Sequence, residues 1–179
     1  MARFDRRSVV RVAVAGAVAV VLHGCADPKP LNRGDLAPAF SLAAATGPAI
    51  DFRRGGEGTP TAIRFWADWC PYCYQEMKDL EPVAARLKSE RFTVLAVNVG
   101  QDRATTLAFV ARLGISYPAL VDESGATARA YGVTALPTTF FVGGDGRIRN
   151  KLVGEADART FERLARELLD AEQPARRQP

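Results

Sequence analysis

Two periods of apolar spacing alternate along the chain and outline its elements. Residues 40–42 and 50–52 carry apolar positions at every second residue on either side of Thr46-Gly47-Pro48, which predicts a hairpin. The glycine-rich stretch 53–60 reads as a loop, and the apolar run 61–66 as a buried central strand. Helical spacing then takes over: Met77, Leu80, Val83 and Leu87 share one face of a helix that follows Cys73. Pro82 within it removes the bond to the Lys78 carbonyl and predicts a kink. Residues 92–99 read as a second buried strand, and 104–113 as a helix with Leu107, Phe109, Val110 and Leu113 apolar, stopped by Gly114. A short strand at 119–121 and a short helix at 126–131 follow. Strands at 138–142 and 148–153 are joined through Gly143-Gly144-Asp145-Gly146, and an amphipathic helix at 157–169 (Phe161, Leu164, Leu168, Leu169) closes the pattern. Strands alternating with helices and ending in a hairpin and a helix predict an α/β architecture.

Ahead of this pattern lies a segment of another kind. Arg3, Arg6, Arg7 and Arg11 precede an unbroken small and apolar run at 12–22. The run is shorter than the roughly 20 residues a membrane-spanning helix needs, but it suits the core of an export signal. Leu22-His23-Gly24-Cys25 resembles a bacterial lipobox, although His23 is atypical for that pattern. The resemblance marks Cys25 for lipidation as the mature N-terminus; cleavage elsewhere and an uncleaved anchor are the alternatives. Arg6-Arg7 is compatible with a twin-arginine signal and equally with an ordinary basic start. We therefore divide the chain into a signal at 1–24, a tether at 25–35 containing Pro28, Lys29, Pro30 and Asn32, one domain at 36–172, and a frayed tail at 173–179.

The signal changes what the charge means. The whole chain has 24 Lys and Arg against 20 Asp and Glu; residues 1–24 hold four of the arginines and one of the acids, leaving 20 against 19. The pI near 9.2 is mostly the signal's, and nucleic-acid binding gains no support from it. An exported domain also sits where disulfides persist.

The candidate chemistry is Cys70-Pro71-Tyr72-Cys73, between the central strand and the helix. The first N–H groups of a helix lack internal partners and carry the positive end of its dipole, so a thiolate formed there is stabilised. This predicts Cys70 as a nucleophile of lowered pKa, Pro71 at the first helical position, and Cys73 one turn in as the more buried, resolving thiol within disulfide reach. A zinc site needs about four N or S ligands, and the remaining candidates, Cys25 and His23, fall in or beside the export signal. A purely structural disulfide would close so short a loop that it constrains little of the unfolded chain. Redox chemistry is the reading that remains.

Phe65-Trp66-Ala67-Asp68-Trp69-Cys70-Pro71-Tyr72-Cys73 resembles the active-site signature of the thioredoxin superfamily, and its continuation through Met77 resembles the TlpA/ResA-like branch of membrane-tethered thiol-disulfide oxidoreductases. The run from Tyr131 to Val142 is similar to that family's cis-proline segment, and Pro38-Ala39-Phe40-Ser41-Leu42 to its leading hairpin. The resemblance implies a thioredoxin fold, a central mixed sheet flanked by helices, with an N-terminal hairpin added. It implies a cis Leu136–Pro137 bond facing the cysteines, with the Leu136 backbone pairing an extended substrate segment and Trp69 offering an apolar docking surface. It also implies a monomer, a membrane reductase as electron donor, and reduction of envelope protein disulfides, such as those of cytochrome c precursors or copper-site proteins. No cofactor, metal or nucleic acid is implied.

Two charged positions carry paired readings. The thioredoxin pattern has a buried carboxylate, and the TlpA/ResA-like pattern usually a neutral residue, where Arg64 stands. Arg64 either points at the thiols and acidifies Cys70, or snorkels outward or pairs with a carboxylate. Glu76 matches an acidic residue of the ResA-like pattern, one turn from Cys73; it either exchanges that thiol's proton or is a solvated helix residue. Other functions for the same cysteines are a disulfide-forming oxidase, a Cu(I) carrier and a peroxiredoxin. The peroxiredoxin lacks its threonine-supported peroxidatic cysteine here, and the carrier fits poorly with Pro137 opposite the pair.

Overall fold

The computed structural model describes residues 30–53 and 58–176. The export signal, Cys25 and residues 177–179 lie outside the described residues. The sheet is organised around β3 (Thr61–Trp66), which is buried at all six positions, as a strand covered on both faces must be. The other strands are β1 (Phe40–Ala44), β2 (Ile50–Phe52), β4 (Thr93–Val99), β5 (Ala119–Asp122), β6 (Thr138–Val142) and β7 (Ile148–Val153). The helices are α1 (Cys73–Ser89), α2 (Arg103–Leu113), α3 (Ala126–Ala130) and α4 (Ala158–Arg176).

Seven strands lie in the order β2-β1-β5-β4-β3-β6-β7. β3, β4 and β5 are parallel, joined by α1 and α2 as two successive crossover units; β6 runs antiparallel to β3, and β7 to β6. The β1–β2 hairpin extends the β5 edge, with β1 antiparallel to β5. This is the expected mixed sheet of a thioredoxin fold with an added N-terminal hairpin.

Alternation along β3 divides the core. Ala62 and Trp66 join Met77, Leu87, Phe109, Phe141, Phe161 and Leu168 beneath α1, α2 and α4. Ile63 and Phe65 join Leu120, Tyr131, Phe140 and Ile148 on the opposite face. Each of these large side chains, once buried, contributes roughly 1.5–3 kcal/mol. The Tyr131 ring packs tilted against Phe65 (5.1 Å) and edge-on to Phe140 (5.2 Å), and its hydroxyl donates to the Pro38 carbonyl at 2.8 Å, tying the leading segment to the sheet.

The boundaries differ from expectation by one residue at ends of β4, β5, α2 and α3, and by more in three places. α1 begins at Cys73, so Pro71 lies in a turn two residues ahead of it and not at its first position. The Cys73 N–H closes on the Cys70 carbonyl (3.2 Å), and the first helical bond runs from Glu76 N–H to the Tyr72 carbonyl (3.3 Å). Proline disfavours helical geometry in the residue before it, which keeps Cys70 outside the helix. α4 continues to Arg176, through the first four residues of the stretch expected to fray. Residues 31–35, assigned to the tether, are held on β7: Gly34 N–H donates to the Ile148 carbonyl (2.8 Å), Ile148 N–H to the Asp35 carbonyl (2.9 Å), and Leu31 packs on the second core face. α1 runs as one continuous helix past Pro82. Among the described residues no helix is long and apolar enough to cross a membrane.

Candidate active site

β3 ends at Trp66, whose indole stacks on Phe109 of α2 with centroids 4.6 Å apart. Residues 67–72 then carry the chain over the sheet end into α1. Asp68 is held there by Gln101: its N–H donates to Gln101 Oε1 (2.9 Å), which also accepts from Asn98 Nδ2 (2.8 Å), and Gln101 Nε2 donates to Asp68 Oδ1. The sequence reading missed these supports. Polar Asn98 near the end of an otherwise apolar strand was the available signal.

Cys70 and Cys73 form a disulfide with their Cα atoms 5.4 Å apart. In the oxidised pair both sulfur-bearing residues are buried, Cys70 at 3% exposed and Cys73 fully. Trp69, just before Cys70, and Tyr72, between the two cysteines, are 67% and 52% exposed aromatic rings. No side-chain hydrogen bond caps the α1 N-terminus, whose first residue is Cys73, so the positive end of the helix dipole lies at the cysteine pair.

The Leu136–Pro137 peptide is cis. Antiparallel pairing of Phe65 with Thr138 carries this bond to the sheet end from which β3 delivers the cysteines. Leu136 is half-buried against the core cluster that includes Cys70 and Cys73. Pro137 accepts from the Gly154 N–H (2.8 Å), and Thr138 Oγ1 donates to the Ala135 carbonyl (2.7 Å), so both sides of the cis bond are anchored. Proline has no N–H of its own at that surface.

Arg64 and Glu76 are brought together. Arg64 lies on the α1 side of β3, 3% exposed, and its Nη2 donates to Glu76 Oε2 while Nη1 donates to Thr139 Oγ1 (3.1 Å). Glu76 is 10% exposed, and its second oxygen accepts the Ala156 N–H (2.5 Å). Of the two readings of Arg64, pairing with a carboxylate is the one observed, and the solvated reading of Glu76 is overturned. Burial lowers the Arg64 pKa to about 10, which leaves it protonated at neutral pH. Glu76 also lines an open cleft of about 430 Å3 between Pro71, Tyr72 and Asp79 on one side and residues 155–159 on the other. Thr139 and Ala156 gave no sign in the sequence, because their contribution depends on register and loop position.

A model of the AhpC/TSA family matches residues 33–151. A thiol-disulfide oxidoreductase ResA from Halalkalibacterium halodurans is 30% identical over 149 residues, covering 80% of this chain and 84% of the relative. Another, from Geobacillus thermodenitrificans, is 31% identical over 68% of this chain and 69% of its own. Among solved structures, a thioredoxin-family thiol:disulfide interchange protein from Chlorobium tepidum superposes with a TM-score of 0.68 at 24% identity, over 77% of this chain and 98% of that one. StoA from Bacillus subtilis superposes with a TM-score of 0.63 at 21% identity, over 72% and 96%; these two share the fold. A cysteine pair at the head of a helix on this sheet defines a thioredoxin-fold redox protein. The chain belongs to the AhpC/TSA family and within it to the ResA-like proteins. It is a thiol-disulfide oxidoreductase, and its substrates are proteins with thiols or disulfides.

Proposed function

We propose that the protein is a reductant of disulfides in exported proteins, working on the outer side of the bacterial membrane. The observation that carries this reading is the Cys70–Cys73 disulfide at the sheet end shared with cis Leu136–Pro137, with Trp69 and Tyr72 exposed on either side of Cys70 in the chain. In the reduced protein the Cys70 thiolate, favoured by the positive end of the α1 dipole, attacks a substrate disulfide. One S–S bond breaks and one forms, and the released substrate thiolate takes a proton. Cys73 then attacks the Cys70 sulfur of the mixed disulfide, releasing the second substrate thiol and leaving Cys70–Cys73 oxidised; two electrons have passed to the substrate. Leu136, Pro137 and Trp69 hold the substrate segment, and Arg64 and Glu76 support the first turn of α1.

A membrane reductase returns two electrons to the pair. The thiols are themselves the redox group, and the mechanism calls on no further cofactor or metal. The basic and apolar signal, with Cys25 as the lipidated residue, supports an envelope location with a membrane anchor. ResA-like kinship favours exported proteins whose cysteines must be reduced before they take up haem or copper. The test is the reduction potential of the couple, equilibrated against a dithiol buffer. A value at or below about −270 mV is expected of a reductant; a value near −120 mV would reverse the direction and make the protein an oxidant.

A further inference from the structure

Ala67 to Cys70 form a tight turn, closed by the Cys70 N–H on the Ala67 carbonyl (3.2 Å). The two ends of the turn are buried, while Asp68 and Trp69 at its tip are exposed. With 67% of Trp69 open to solvent, packing alone does little to fix the direction of that ring.

The tip is held from another loop. Gln101, between β4 and α2, meets Asp68 twice through one side-chain amide: its Oε1 accepts the Asp68 N–H (2.9 Å), and its Nε2 donates to Asp68 Oδ1. A third bond, from Asn98 Nδ2 to the same Oε1 (2.8 Å), fixes the amide from behind. Asn98 is fully buried and lies beside Trp66 in the β3–β4 register. The backbone on either side of Gln101 is anchored as well. Gly100 takes a left-handed turn (φ 72°) and donates its N–H to the Asp122 carbonyl of β5 (2.9 Å), and Asp102 caps α2. The arrangement selects for an amide side chain. The Asp68 N–H needs an acceptor and its carboxylate needs a donor, and glutamine offers one of each in a single planar group. Glutamate at this position would set two carboxylates against each other.

We propose that Gln101 is a positioning residue for protein substrates: by holding Asp68 it fixes the tip of the turn and presents Trp69 already ordered to the incoming polypeptide. A mobile tip would have to be ordered at each encounter, and that entropy cost raises KM for substrates that contact Trp69. A small disulfide that reaches Cys70 without touching Trp69 carries no such cost. The inference rests on the docking role given to Trp69 under the proposed function, and it is independent of the physiological direction of electron flow.

The test uses the full chain and the reduction of insulin disulfides driven by a dithiol. In Gln101→Leu the KM for insulin is expected to rise about three- to tenfold, the ordering cost of one large side chain, with kcat within about twofold of the wild type. Trp69→Ala and the double variant Gln101→Leu with Trp69→Ala should share one KM, because the support acts through that ring. Gln101→Glu should raise KM as Gln101→Leu does, and adding Asp68→Asn should restore it, since donor and acceptor are then exchanged across the same pair. That rescue decides the matter even where Gln101→Leu fails to fold. A wild-type KM in Gln101→Glu, or a further rise when Gln101→Leu is added to Trp69→Ala, overturns the proposal. The hold on the turn is also read without turnover: in the oxidised protein the Asp68 amide is expected to exchange at least about tenfold faster in Gln101→Leu, with β3 and β4 amides unchanged. Equal exchange in the two proteins overturns the proposal. An unchanged KM in Trp69→Ala refutes the docking role of the ring itself, whereas a raised KM there with an unchanged one in Gln101→Leu refutes only the positioning role, so the two failures are told apart.

Discussion

Breaking the Arg64–Glu76 pair one partner at a time should destabilise the protein unequally. Removing one member of a buried ion pair costs about 3–5 kcal/mol, because the survivor is left charged and without its partner. Where each substitution falls in that range follows from what the survivor keeps. In Glu76→Met the guanidinium stays 3% exposed and retains only Thr139, with its Nε already without a hydrogen-bond partner, so the cost belongs near about 5 kcal/mol. In Arg64→Met the carboxylate keeps the Ala156 N–H and borders an open cleft that water can enter, which places the cost near about 3 kcal/mol. The double Met variant strands no charge and keeps similar volume, so it should lose no more than about 2 kcal/mol. At roughly 2–4 °C per kcal/mol for a chain of this size, Glu76→Met would melt about 10–20 °C below the wild type. The assay is urea unfolding of the oxidised protein, with the dependence on urea constant across the four proteins so that midpoints report stability. A double variant as unstable as the sum of the singles would refute the coupling. Arg64→Met costing more than Glu76→Met would refute the burial argument behind the ranking.

Three further outcomes are expected. Cys73→Ser should accumulate a mixed disulfide between Cys70 and a substrate protein, visible on non-reducing gels, and Cys70→Ser should not, since Cys73 is fully buried. Trp69→Ala should leave the melting temperature nearly unchanged, because the ring is 67% exposed, yet lower kcat/KM for a protein disulfide about tenfold or more and leave that for a small disulfide intact. Asp102 caps α2 by accepting the Thr105 N–H, and that bond holds its pKa below the usual value. Its contribution to stability is complete above the unfolded aspartate pKa of about 3.9 and is lost as the pH falls through the lower folded value. Asp102→Asn keeps the cap without the titration, so its melting temperature should fall less steeply with acid than that of the wild type.

The order and type of the elements were legible in the chain because they follow from local spacing. The strands read at 61–66 and 138–142 and the helical period after Cys73 survive in the structure almost residue for residue. The cysteine pair was legible for the same reason: two thiols three residues apart at a strand-to-helix junction are close in any fold that keeps the junction. The cis bond at Leu136–Pro137 was legible only through resemblance, since a proline opening a strand is by itself an ordinary turn or edge residue.

The partnership of Arg64 could not be read from the sequence. Whether a strand arginine meets water, a thiol or a carboxylate depends on which face of β3 it occupies and on how α1 lies across that face. The β3–β6 register puts Thr139 beside it, and the crossover from β3 through α1 to β4 brings Glu76 within reach. Gln101 and Ala156 belong to the same class, each 33 or 80 positions from the residue it holds. Sequence by itself determined the α/β order and the redox pair, through periodicity and short-range covalent geometry. Tertiary structure alone decided which charges are buried together, because desolvation and pairing are properties of the assembled layers and not of any one segment.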